Sequence, residues 1–155
     1  DVAIEVEGDP TYREVIDASR AGVKQTVADA IVVAAREIAE TTHIKAICCF
    51  SQSGTTALLT AREKPHVPII ALTSLVGTAR RLALSWGLHC AVVPEVERFK
   101  MAVVNAVRVA RADGFADATD HIVVTAGIPF NQPGSTNILR VAPCEERLVF
   151  STDLE

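Results

Sequence analysis

Aromatic side chains make up 5% of the 155 residues, with one Trp and one Tyr. Nucleic-acid grooves that stack bases on rings need more than that. Cations are not in excess either: 15 Lys and Arg face 19 Asp and Glu, a net charge of −4, which excludes a broad basic patch. No nucleic-acid partner is expected. No apolar run approaches the roughly 20 residues of a membrane span. The opening residues 1–10 are acidic and do not read as a signal peptide. The four cysteines, Cys48, Cys49, Cys90 and Cys144, contain no CxxC pair. They read as reduced thiols buried in the core of a cytoplasmic protein. His43, His66, His89 and His121 show no ligand spacing such as HExxH, so no metal site is expected. Walker A and GxSxG motifs are missing, and no His stands near a Ser with a carboxylate to orient it, so no catalytic residue is assigned.

What is present is small and aliphatic. Hydrophobic residues make up 49%, mostly Ala, Val, Ile and Leu, with mean hydropathy +0.27. Such a composition suits buried parallel strands covered by helices. The length suits one domain, hiding roughly 68–70% of its unfolded surface. It leaves no room for a (β/α)₈ barrel of about 250 residues.

Along the chain, residues 10–20 predict a short helix with Pro10 in its first turn, broken by Gly22. A longer helix follows over 23–42, with Val23, Val27, Ile31, Ala34 and Ile38 as its apolar stripe. Strands are expected at 46–50, 69–72, 89–93, 122–126 and 138–141. Helices are expected at 57–62, 76–85 (capped by Thr73 or Ser74 and stopped by Gly87) and 95–112. Residues 144–155 read as a mixed tail. The alternation predicts parallel pairing with right-handed crossovers. The loop before the last strand is too short for a crossover helix, so that strand should run antiparallel at an edge. The expected fold is α/β: a three-layer αβα sandwich with a mixed five-stranded sheet, four strands parallel and the last antiparallel.

Two loops lie at strand carboxyl ends, where such sheets bind ligands. Ser51, Gln52, Ser53, Gly54, Thr55 and Thr56 offer hydroxyls, a Gly for close approach and the open N–H groups of a helix start, all suited to a phosphate. The same residues also suit a plain helix cap, and spacing leaves both readings open. Residues 127–137, rich in Gly, Pro and Asn, fix their own shape or simply connect. Arg98 and Lys100 are candidates for a second anionic group or ordinary solvated charges. Asp113, Asp117 and Asp120 read as solvated. Arg80, Arg81 and Trp86 read as parts of a helix packed on the sheet and its end.

Taken together, Ser53-Gly54-Thr55-Thr56-Ala57, Pro68-Ile69-Ile70-Ala71-Leu72-Thr73, Arg81-Leu82-Ala83-Leu84-Ser85-Trp86-Gly87 and Thr125-Ala126-Gly127-Ile128-Pro129 with Pro133-Gly134-Ser135-Thr136-Asn137 resemble the C-terminal domain of pyruvate kinase, bacterial type. Order and spacing fit from about residue 10 to 142. The resemblance implies a domain over 10–143, a remnant of the preceding barrel helix at 1–9, and a tail at 144–155. It implies a regulatory and oligomerising domain of a glycolytic phosphotransferase, inactive alone, cut from a larger enzyme or encoded by a truncated gene. Mg²⁺ and K⁺ would belong to the absent barrel, with no cofactor in this chain. A phosphorylated effector, a sugar monophosphate or AMP, would sit on residues 51–56, under a loop including Gly127, Pro129, Gly134 and Ser135. A homo-oligomer would form through the last strand. Position 52 departs from the family, being Gln where some animal enzymes carry Lys. The stretch 93–100 lacks the insertion that grips the second phosphate of fructose 1,6-bisphosphate, so a monophosphate is implied. A free-standing module for a phosphorylated metabolite, or an interaction piece without ligand, are the alternative readings.

Overall fold

The computed structural model describes residues 10–11, 26–85, 87–130 and 136–151. Pro10 and Thr11 are helical, and the rest of the expected helix at 10–20 lies outside the described residues, as do residues 1–9, Trp86 and 152–155. Helix α1 (Val27–Thr41) opens on a reciprocal cap. The Thr26 hydroxyl accepts from the Asp29 N–H at 3.2 Å, and the Asp29 carboxylate accepts from the Thr26 N–H at 3.0 Å. That cap starts the helix at Val27 rather than at residue 23, which lies outside the described residues. The expected stripe is one residue out of phase. Ala28, Val32, Ala35 and Ala39 are buried, whereas Val27 and Ala34 are exposed and Ile31 and Ile38 half-buried. Both rows have helical spacing, so period alone does not choose between them. Packing selects the row of smaller side chains, which lets the helix lie close on the sheet.

Strands β1 (Ile44–Phe50), β2 (Ile69–Thr73), β3 (Leu88–Val92), β4 (His121–Ala126) and β5 (Ile138–Pro143) fall within two residues of their expected bounds. They form one sheet in the order β3-β2-β1-β4-β5. The pairs β1–β2, β2–β3 and β1–β4 are parallel, and β4–β5 is antiparallel. The short 127–137 connection can only fold back, which turns the last strand around.

The remaining helices are α2 (Thr55–Arg62), α3 (Val76–Leu82), α4 (Phe99–Ala112) and α5 (Glu146–Ser151). Helix α3 stops three residues short of expectation. Neither Thr73 nor Ser74 caps it: Leu75 holds that position, and the Thr73 hydroxyl accepts from the Leu75 N–H at 3.1 Å. Helix α4 starts at Phe99, because Arg98 is still extended, and Glu95 to Glu97 run ahead of it as loop. The stretch read as a tail holds α5. Its Val149 is inaccessible, as is the preceding Cys144, and Arg108 of α4 grips Glu146 with two bonds of 2.6 and 3.1 Å.

Two cores result. Ala35, Ala39, Ala57, Ala61 and Leu82 from α1, α2 and α3 cover Ile47, Cys49, Ile69, Ala71 and Val123. Val103, Val104 and Val107 of α4, with Val149 of α5, cover Cys48, Ile70, Leu72, Ile122 and Val124 on the other face. Crossovers of one hand that run in opposite directions along a sheet must lie on opposite faces. The path β1 to β2 to β3 carries α2 and α3, and the return from β3 to β4 carries α4. The two directions part between β1 and β4.

Neighbouring Cys48 and Cys49 alternate between these faces, as strand residues do. The cysteines are all free, and Cys90 is half-buried rather than buried. Burial pushes the Cys144 thiol up to about 11 from an ordinary 9.0, helped by the nearby Asp120 charge. A raised thiol stabilises the fold fully below the unfolded value, and that contribution is lost as pH rises. The urea midpoint is therefore expected to fall between about pH 9 and pH 11, and less steeply in Cys144→Ala. A profile identical in the two proteins would contradict this.

Candidate functional site

The loop between β1 and α2 is built around Gly54, whose φ of +89° is left-handed. Its N–H donates to Ser51 Oγ at 2.8 Å, and its carbonyl accepts from the Leu58 N–H at 3.1 Å to open α2. The Ser53 hydroxyl donates to Thr55 Oγ1 at 3.1 Å. The N–H groups of Thr55, Thr56 and Ala57 open the helix and have no carbonyl within it. Ser53 and Thr55 are exposed, and Gly54 and Thr56 are buried.

Gln52 turns away to the end of β2. Its Oε1 accepts from Thr73 Oγ1 at 3.0 Å and from the Ser74 N–H at 3.2 Å, and its Nε2 donates to Ser74 Oγ at 2.8 Å. The side chain therefore joins two strand ends. Arg81, read from sequence as part of a packed helix, reaches from the last turn of α3 and donates to the Ser53 carbonyl. Nothing local to residue 81 signals that role, since the partners are 28 residues apart.

The loop after β4 begins with half-buried Gly127 and exposed Ile128 and Pro129, joined by a cis peptide. Asn137 closes its neck: the side-chain oxygen accepts from the Ile128 N–H at 2.9 Å, and the side-chain nitrogen donates to the Ile128 carbonyl at 2.7 Å. Gly134 and Ser135 lie outside the described residues. The two loops meet through a buried hydroxyl pair, Thr56 with Thr136, and through an edge-to-face contact of Phe50 and Phe130 with ring centroids 6.3 Å apart.

Between them lies a cavity of about 780 Å³. Its lining is part polar, from Ser51, Gln52, Ser53, Thr55, Thr56 and Thr136, and part apolar, from Phe50, Leu59, Leu72, Val93, Val96 and Phe130. Among the described residues Glu95 is the one charged side chain in the lining. Arg98 instead borders an adjoining groove of about 470 Å³, which shares Pro94, Glu95 and Val96 with the cavity, and Lys100 lies 5.4 Å from the Phe150 ring. Asp113 is exposed and pairs with His89 at 2.8 Å. Among the described residues no three His, Cys, Asp or Glu side chains converge as metal ligands, and no helix is long and apolar enough to cross a membrane.

Residues 29–142 match the model of the pyruvate kinase alpha/beta domain. The chain belongs to the pyruvate kinase family. A pyruvate kinase of Methylorubrum extorquens is 36% identical over 141 residues, covering 91% of this chain and 30% of that protein. One from Agrobacterium vitis is 38% identical over 130 residues, 84% of this chain and 27% of that protein. One from Geobacillus stearothermophilus is 32% identical over 140 residues, 90% of this chain and 24% of that protein. The chain thus spans about a quarter to a third of these relatives. A solved pyruvate kinase of Cryptosporidium parvum in complex with ADP shares the fold, with a TM-score of 0.74 at 24% identity over 85% of this chain and 27% of that one. Both loops of the cavity, up to Asn137, fall inside the part matched by the pyruvate kinase domain model, whereas α5 follows it.

Proposed function

We propose that this chain is the regulatory and subunit-contact domain of a pyruvate kinase, and that its cavity holds a phosphorylated effector carrying one phosphate. In the whole enzyme, phosphoryl transfer from phosphoenolpyruvate to ADP, with Mg²⁺ and K⁺, would take place in the barrel, and this chain alone would be inactive. The observation that supports the reading most is the cavity where the two crossover directions part. Its lining includes the Ser/Thr loop opening α2, and the loop after β4 is tied to that loop by Thr56 and Thr136. Helix-start N–H groups and hydroxyls suit a phosphate. Among the described residues the one charge in the lining is acidic, which disfavours a second phosphate beside it. A sugar monophosphate or AMP fits that charge pattern. A second copy would pair along β5, an edge strand with Val141 exposed.

Calorimetry with ribose 5-phosphate, glucose 6-phosphate and AMP tests the effector reading. Binding by at least one is expected, and Ser53→Ala should weaken it by about 1–3 kcal/mol through loss of a hydroxyl bond to the anion. No heat from any of the three, with the fold intact, would sink the reading. Light scattering on the same sample tests the edge contact, which a monomer mass at high concentration would remove.

A further inference from the structure

We propose that Arg81 is the positioning residue of the phosphate loop and the source of its positive charge, an inference that rests on the effector reading above. A phosphate needs countercharge, and charge-assisted bonds are the strong ones. Among the described residues the lining supplies none: its charged side chain is Glu95, and the Gln52 amide is held by Thr73 and Ser74. The α3 helix supplies it from behind the loop. Thr78 and Arg81, three residues apart and so on one helical face, hold two successive carbonyls: Thr78 Oγ1 donates to the Gln52 carbonyl at 2.8 Å, and Arg81 donates to that of Ser53.

In a planar trans peptide the N–H points opposite to the C=O. With both carbonyls held toward α3, the N–H groups of Ser53 and Gly54 face away from it. The Gly54 N–H takes Ser51 Oγ, and that of Ser53 is left on the side away from α3, where the anion is proposed to sit. The guanidinium also polarises the Ser53–Gly54 amide, which strengthens the Gly54 N–H that holds Ser51 Oγ, a hydroxyl of the cavity lining. Without Arg81 the Ser53 carbonyl is free to swing, and a carbonyl oxygen turned toward a phosphate repels it. Arg81 acts through the backbone, not by lining the cavity.

Calorimetric titration of ribose 5-phosphate into wild type, Arg81→Gln and Arg81→Lys, at low and high salt, tests this. Arg81 is exposed, so the unfolding midpoints should agree. Arg81→Gln keeps a donor for the carbonyl but no charge. It is expected to bind about fivefold more weakly at low salt, and the gap should shrink below about twofold at about 1 M salt, where screening reaches about 3 Å. Arg81→Lys should stay within about twofold of wild type. Equal affinity of wild type and Arg81→Gln at low salt, or a loss that salt does not relieve, overturns the role of Arg81 and leaves the effector reading standing. Absence of binding by wild type to ribose 5-phosphate, glucose 6-phosphate and AMP removes both.

Discussion

Glu63→Gln should destabilise the domain by about 3 kcal/mol, the scale of breaking a buried ion pair from one side. Glu63 follows α2 and is wholly inaccessible, and its Oε1 lies 3.9 Å from Nε of Arg36, which is 8% exposed. The two side chains cross between α1 and α2, the layer that covers one face of the sheet. Removing the carboxylate charge leaves the guanidinium buried beside Glu37, an exposed partner at 3.9 Å that water screens. The loss reflects a buried charge deprived of this carboxylate rather than the net value of the pair. Arg36→Met with Glu63→Leu should therefore recover most of it. Urea denaturation of the wild type, the single variant and the double variant measures both effects. A single variant within about 0.5 kcal/mol of wild type would show that the pair carries no such weight.

Gly54→Val is expected to cost about 2–4 kcal/mol, from two sources that add. The φ of +89° is a backbone state that a β-branched residue resists. A Cβ there would meet Leu82 Cδ2 at 3.0 Å and Arg81 Nη2 at 3.3 Å, so those side-chain ends would have to give by a few tenths of an ångström, which buried Leu82 resists. Gly54→Ala carries the same backbone strain with less bulk and should fall between the two. The functional loss should exceed the loss of stability, because the displaced parts are Leu82 and Arg81, which flank the phosphate loop. Thermal unfolding and ribose 5-phosphate titration on the same samples separate the two. A valine variant as stable as wild type would overturn the steric argument.

The sheet was legible because its strands are continuous apolar runs, such as Ala46 to Phe50, bounded by Gly, Pro and Ser. The antiparallel turn of β5 was legible from loop length alone. The place of the Ser/Thr loop at the end of β1 followed from the same alternation. Other features were hidden for physical reasons. The phase of α1 was undecided between two apolar rows, and only contact with the sheet chose Ala28, Val32, Ala35 and Ala39. Helix α5 is six residues long, too short for a periodic pattern, and is held by Arg108 and by burial of Val149. The commitment of Gln52 to Thr73 and Ser74, the reach of Arg81 to Ser53, and the meeting of Thr56 with Thr136 join positions 21 to 80 residues apart. No local spacing encodes such pairs.

The parting of the chain between β1 and β4 has a consequence for how this cavity can change over time. Its existence follows from the winding of the backbone, and its stability resides in aliphatic strands that line little of it. The side chains that would discriminate one metabolite from another sit on loops and on the first turns of α2. Substitutions there can redirect recognition while the strands below keep the opening in place. On the effector reading, a lineage could exchange one chemical signal for another through these side chains, provided the backbone turn at Gly54 is kept.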